Sequence, residues 1–337
     1  MSNLNMSKFI EDIIASPKKK GAPILSFPAV SKLGITVKEL ISSSDLQAKA
    51  MKCVADSTDS LFSVSLMDLS VEAECFGAKA VFSDSEVPAI SGAIVSSEED
   101  ADALIVPKVG AARSGLYIES IQKAVKLITD RPVFAGVIGP FSLAGRLMDV
   151  TETMVYCYDE PDMVHTVVSK ATEFLIEYIK AYRDAGANGV VIAEPLAGLL
   201  SPALCEEFSS AYVKRIVDEV QTDEFAIVYH NCGNFTIQSI DNILATGAKM
   251  YHFGNAIDMA AMMPHIPANA IAMGNVDPSG QFRNGTPESM KAEVSRELEA
   301  CSKYPNYVIS SGCDIPPLAS WDNINAFFEA VNDFYSH

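Results

Sequence analysis

His230 and Cys232 stand one residue apart at the end of a short apolar run, in the stretch VYHNCGN (228–234). Residues i and i+2 of a strand point to the same side, so imidazole and thiol converge on one point if the extended geometry persists to Cys232. Alone, an H-x-C pair is more often the polar end of an ordinary core strand. Cys313 changes that weighing. It lies far along the chain in the turn Gly312-Cys313-Asp314-Ile315-Pro316-Pro317, at the end of another apolar run. One imidazole and two thiolates suit zinc, and three protein ligands with a fourth position open is the arrangement of catalytic rather than structural sites.

Polar side chains close other apolar runs in the same way, in Ala193-Glu194-Pro195, His252-Phe253-Gly254-Asn255 and Gly274-Asn275-Val276-Asp277-Pro278. Glu194 and Asp314 are the catalytic candidates. Either one orients a metal ligand or approaches substrate, and either one equally caps a following turn or helix. Asn255, Asn275 and Asp277 are candidate substrate contacts, with loop shaping as the plainer alternative. His252 reads first as a histidine hydrogen-bonded inside the core, and second as a ligand.

Positioning such residues at one end of many strands requires a particular framework. Eight short β-rich runs recur, at 23–29, 60–66, 132–138, 188–194, 225–231, 249–255, 270–276 and 306–312. Segments of helical period separate them. The clearest spans 161–184, with Val164, Val167, Val168, Ala171, Phe174, Leu175, Tyr178 and Tyr182 on one face and Gly186 as the stop. Another opens at Thr286-Pro287-Glu288, with Thr at the N-cap and Pro at the first helical position. Nearly continuous apolar strands alternating with helices predict a parallel sheet buried on both faces, closed as a single (β/α)8 barrel over residues 1–337. A doubly wound open sheet is the competitor, but neither G-x-G-x-x-G nor G-x-x-x-x-G-K-[ST] is present. The polar N-terminus reads as an extension, and residues 70–105 as an inserted hairpin after the second strand.

With 43 acids against 25 bases the chain carries a formal charge of −18, which disfavours a phosphate backbone as partner. Lys18, Lys19 and Lys20 form the single basic run and read as a solvated segment. Seven cysteines, unevenly spaced and odd in number, do not make a disulfide framework; Cys53, Cys75, Cys157, Cys205 and Cys301 read as inert thiols. Neither a signal-peptide pattern nor a long apolar span is visible, so a cytoplasmic, membrane-independent protein is expected.

The chain resembles the uroporphyrinogen decarboxylase superfamily, and within it the methylcobamide:coenzyme M methyltransferase branch. The resemblance is carried by LMDLSVEAECFGAKA (66–80), GVIGPFSLAGRLM (136–148), DAGANGVVIAEPLA (184–197), VYHNCGN (228–234), MGNVDP (273–278) and SSGCDIPPLASWDNINAF (310–327). It implies that His230, Cys232 and Cys313 bind zinc, and that the metal activates a thiol to take a methyl group from a methylated corrinoid. No D-x-H-x-x-G corrinoid signature is present, so the resemblance implies a corrinoid on a separate protein partner. The decarboxylases carry paired arginines in an R-Q-A-G-R motif; the corresponding PAVSKLGITVKELI has none, which disfavours binding of a polycarboxylate.

The resemblance leaves the acceptor open between a coenzyme M-like thiol, another thiol and a folate. Gly254-Asn255 stands where a coenzyme M enzyme carries Glu-Glu, which removes one source of a fourth ligand. An acidic end on the acceptor calls for a cation near the zinc, for which Arg146 and Arg283 are the candidates. A tetrapyrrole decarboxylase and a non-enzymatic corrinoid- or metal-binding protein are the alternative readings.

Overall fold

The computed structural model describes residues 4–336. Among the described residues nine strands form in chain order: β1 (Ser63–Val64), β2 (Lys79–Val81), β3 (Ala89–Ser91), β4 (Val133–Ile138), β5 (Gly189–Ala193), β6 (Ala226–Asn231), β7 (Met250–Phe253), β8 (Ile271–Val276) and β9 (Tyr307–Ser311). Seven of them make one curled parallel sheet in the order β1-β4-β5-β6-β7-β8-β9, and β2 pairs with β3 as a separate antiparallel hairpin. The architecture is that of a TIM-like barrel, and β4, β5, β6, β8 and β9 are buried along their whole length.

The run 23–29, expected as the first of eight strands, forms no ladder. Pro23 has no N–H to give, so the segment cannot pair regularly on both sides. It still crosses the gap between β9 and β1. Ala22 donates its N–H to Ile309 O at 2.9 Å, and Leu61 donates to Gly21 O at 2.9 Å. The Ser311 hydroxyl accepts from Ile24 N–H at 3.0 Å, substituting a side chain for the missing backbone partner. The run 60–66 likewise shortens to the two residues of β1.

Inside the ring, Val191, Ala193, Val228, Met250, Ile271, Met273 and Val308 pack as one cluster with Phe62, Val64 and Phe134. The N-terminal helix Met6–Ala15 joins the same cluster through Met6, Ile10 and Ile13. Met6 N–H bonds to Asp223 O, just before β6 starts, so this helix plugs the N-terminal end of the barrel. The opposite end, where the strands finish, holds a cavity. The helix Pro161–Asp184 buries the predicted face and ends at Ala185-Gly186, and Thr286 caps Pro287–Cys301 in a reciprocal box with Ser289. Among the described residues no helix is long and apolar enough to cross a membrane.

Candidate metal centre

The register of the sheet sets the first ligand. His230 pairs across the ladder with His252, and both follow inward-facing residues two positions earlier, Val228 and Met250. His230 is 2% exposed. The chain then leaves β6, and Asn231 shapes the exit: its Oδ1 accepts from Gly233 N–H at 2.9 Å and from the Thr236 hydroxyl at 2.8 Å. Gly233 lies so close to Gly198, in the loop after β5, that a Cβ on Gly233 would fall 2.3 Å from Gly198 Cα. These contacts hold the short loop that carries Cys232.

Cys313 comes from the turn after β9. Its Sγ lies 3.5 Å from His230 Nε2, and the donor atoms of His230, Cys232 and Cys313 all lie within 4.8 Å of one another. Interaction with Cys313 draws the Cys232 thiol below its ordinary pKa, while the same contact together with burial pushes Cys313 up to about 12. A thiol held below its ordinary pKa gives up its proton to a cation more readily than a free one. Among the described residues no fourth His, Cys, Asp or Glu joins the group. At Gly254 a Cβ would stand 2.5 Å from Cys232 Cα, so the end of β7 approaches the cysteine too closely to supply a carboxylate from that position.

Hydrogen bonds behind His230 determine which of its nitrogens is free. The Ser310 hydroxyl donates to Ala22 O at 2.8 Å, so its oxygen accepts from His252 Nε2–H, also at 2.8 Å. Burial and the neighbouring His230 ring hold His252 well below the usual histidine range, and therefore neutral. His252 Nδ1 then carries a lone pair and accepts from His230 Nδ1–H at 2.7 Å. His230 Nε2 is left as a base facing the two sulfurs, the tautomer that a metal requires. The donor set, its spacing and this tautomer all fit a tetrahedral zinc site with one open position.

The three residues line a cavity of about 460 Å³ at the strand ends. Ile24, Met67 and Leu69 give it apolar walls, Val87 to Ile90 of the inserted hairpin reach over it, and Arg146, Arg283 and Asp314 add charge. Behind the wall, Asp68, with no exposed side chain, accepts from Arg113 at 2.5 Å and from the Tyr117 hydroxyl at 2.6 Å. Arg113 also reaches Glu74 and Ser70, which fixes the segment bearing Met67 and Leu69.

The remaining candidates separate into two groups. Asp314 lines the cavity; burial holds its carboxyl well above the usual range, and its Oδ1 has no hydrogen-bond partner. Glu194 does not line it. Its buried carboxylate accepts from Phe141 N–H (3.0 Å), Ser142 N–H (2.7 Å) and the Ser209 hydroxyl (2.9 Å), so it caps the helix Pro140–Met148, whose own N-cap Gly139 has no side chain to do so. Asn275 Nδ2 donates to Gly254 O and Ile257 O, and Asp277 caps the turn Pro278–Arg283. Asn255, Asn275 and Asp277 together border a neighbouring cavity rather than the one with the sulfurs. The site residue that spacing alone did not bring forward is Ser310, whose neighbours in sequence are plain strand residues.

The matching family model is that of uroporphyrinogen decarboxylase (URO-D), over residues 21–334, and the chain belongs to this family. The methylcobamide:CoM methyltransferase MtbA of Methanosarcina mazei is 28% identical over 275 residues, covering 79% of this chain and 78% of the relative. The uroporphyrinogen decarboxylase of Pseudomonas aeruginosa is 28% identical over 252 residues, covering 71% and 69%. A solved methyltransferase from Methanosarcina mazei superposes with a TM-score of 0.87 at 22% identity, covering 98% of this chain and 99% of the other, which shows the shared fold.

Proposed function

We propose that the protein is a zinc-dependent methyltransferase that moves a methyl group from a methylated corrinoid, carried by a separate protein, to a thiol acceptor. The observation that carries this reading is the convergence of one imidazole and two thiols within 4.8 Å at the floor of the strand-end cavity. His230, Cys232 and Cys313 would hold the zinc, which supplies a Lewis acid that keeps an acceptor thiol as its thiolate. His252 and Ser310 keep the His230 Nε2 lone pair directed at the site. Ile24, Met67 and Leu69 would give an apolar wall to the space where the acceptor sulfur would stand. The corrinoid would supply the methyl group to the acceptor sulfur, and the electron pair of the methyl–cobalt bond would stay with the donor.

A cavity of about 460 Å³ suits a small molecule, so the corrinoid would cover the mouth rather than enter. Exposed Phe82, Leu199, Phe235 and Leu318, on the hairpin and on the segments after β5, β6 and β9, offer apolar surface at that end for the carrier protein. The kinship to MtbA at 28% identity supports the same reading. A polycarboxylated tetrapyrrole fits the cavity less well, because among the described residues its wall has one cation free of an acidic partner, Arg146.

The test is to incubate zinc-loaded protein with free methylcobalamin and a panel of small thiols, following thioether formation and loss of the methyl-cobalt absorbance. Turnover that falls at least about 100-fold in Cys232→Ala supports the proposal. Release of carbon dioxide from a tetrapyrrole by metal-free protein, with no methyl transfer to any thiol, contradicts it.

A further inference from the structure

The cavity that Asn255, Asn275 and Asp277 border has a volume of about 530 Å³, and the proposed reaction does not use it. It shares no bordering residue with the cavity of the sulfurs. It lies between the exits of β7 and β8 and the helix Pro287–Cys301, which presents Glu293, Arg296, Glu297 and Ala300 to it at steps of one helical turn. Four acids border it, Asp258, Asp277, Glu293 and Glu297, against one base among the described residues, Arg296.

Glu297 is 7% exposed, yet its carboxyl group is short of donors. Its Oε1 meets Arg296 Nη2 at 3.4 Å, and that largely exposed guanidinium sits closer to Glu293, at 2.6 Å. Its Oε2 lies 3.5 Å from the Tyr307 hydroxyl, but the single proton of that hydroxyl goes to Gly274 O at 2.7 Å. Burial raises the Glu297 pKa, the direction expected of a carboxyl without a close partner. Asn275, 3% exposed, spends its Nδ2 on Gly254 O at 2.8 Å and Ile257 O at 2.6 Å. Its Oδ1 accepts no hydrogen bond among the described residues. Buried oxygens left in this way cost free energy until a donor reaches them.

The missing donor is a cation of a particular kind. Among the described residues the acids of this cavity do not gather their oxygens within 4.8 Å, as His230, Cys232 and Cys313 gather their donor atoms, which disfavours a bare metal ion. An ammonium group spreads its N–H donors over a wider space, and Ile257, Met259 and Ala300 offer apolar surface to an attached alkyl chain. The formal charge of −18 favours its approach. We propose that this cavity is a second ligand site, which takes a small alkylammonium ion with its nitrogen at Glu297 and Asn275. The site stands whether or not the metal centre acts as proposed above.

The experiment is calorimetric titration of the full chain, at physiological ionic strength, with butylamine, 1,4-diaminobutane and the neutral butan-1-ol. At least one amine should bind saturably, one per chain, and about 10-fold or more tighter than the alcohol. Glu297→Gln should weaken the amine about 10-fold or more and leave the alcohol unchanged. Arg296→Gln removes the competing cation and should tighten the amine about threefold. Glu98→Gln, at an exposed position on the helix Glu98–Ala103, takes one negative charge from elsewhere on the chain and should shift affinity by less than about twofold. No saturable binding of either amine, equal affinity for amine and alcohol, or an affinity that Glu297→Gln leaves unchanged overturns the proposal. Equal loss in Glu297→Gln and Glu98→Gln also overturns it, because the amine would then be responding to the charge of the whole chain. Arg296 is largely exposed, so its variant decides the matter if Glu297→Gln does not fold: binding that is unchanged or weaker in Arg296→Gln contradicts the site.

Discussion

His230 donates its Nδ1–H to His252 Nδ1 at 2.7 Å, and that bond leaves the opposite nitrogen of His230 free for a metal. The two histidines are register partners on adjacent strands, so the contact is set by the sheet itself. His252 is fixed in turn by Ser310, and Ser310 by the carbonyl of Ala22, the residue that helps close the ring. The tautomer of the candidate ligand is thereby tied to the closure of the barrel.

Removing the support behind a ligand should weaken metal binding without abolishing it. His252→Phe is expected to lower zinc affinity roughly 10–100-fold, and Ser310→Ala to have a smaller effect in the same direction. Competition against a chromophoric chelator measures both. Affinity equal to the parent in His252→Phe would show that the relay does not orient His230.

Glu194 illustrates how a strand-end acid can look functional in sequence and serve the fold instead. Glu194→Ala would leave the Phe141 and Ser142 N–H groups buried without an acceptor, and should cost on the order of 2–4 kcal/mol of stability. Urea unfolding of metal-free protein reads the loss. Zinc content of the folded fraction should match the parent, whereas a Glu194 that acted on the metal would lower both.

Glu72 should govern part of the stability–pH profile. It is buried, with Oε1 accepting from Ile138 N–H at 3.1 Å and Oε2 unpartnered, and burial raises its pKa from 4.5 to about 8. In the unfolded chain the carboxyl ionises at the ordinary value, while the folded protein retains the proton to about 8. Its contribution is therefore fully present below the unfolded value and is lost as pH rises towards the folded one. Glu72→Gln should keep the bond to Ile138 and flatten this slope. The variant is expected to exceed the parent in stability at about pH 8 by a few kcal/mol, with little difference near pH 4, as judged by urea midpoints.

The separation between the cavity and its exposed rim gives a kinetic prediction. Phe235→Glu, at an exposed position after β6, should slow transfer from a methylated corrinoid protein about 10-fold or more through a higher KM. Turnover with free methylcobalamin should be unchanged within about twofold. Equal slowing of both reactions would place Phe235 in the site rather than on a docking surface.

The sequence made the His230, Cys232 and Cys313 group legible because its parts are chemically distinctive: an H-x-C pair at the end of one strand and a cysteine in a Pro-rich turn after another. The alternation of strands and helices was legible for the same reason, since burial on both faces forces continuous apolar runs. The closure of the ring was not. Pro23 prevents regular pairing, and the substitute contact comes from a serine 287 residues away in β9. Glu194, Asn275 and Asp277 were ambiguous because a carboxylate or amide at a strand end serves a neighbouring helix or loop as readily as a substrate. Only the partners at 2.6–3.0 Å distinguish the two uses. His252 was legible as a histidine hydrogen-bonded inside the core, but its partners were not, and Ser310 gave no signal of its own, because a hydrogen-bonded chain across a barrel interior leaves no spacing pattern behind.

Zinc stoichiometry tests the central claim most directly. Protein purified without added metal and reconstituted under reducing conditions would be assayed for zinc per chain, beside His230→Ala and Cys313→Ala. The site described here predicts about one tightly held zinc in the parent and marked loss in both variants, with folding retained. A parent that holds no zinc, or variants that hold as much as the parent, would contradict it.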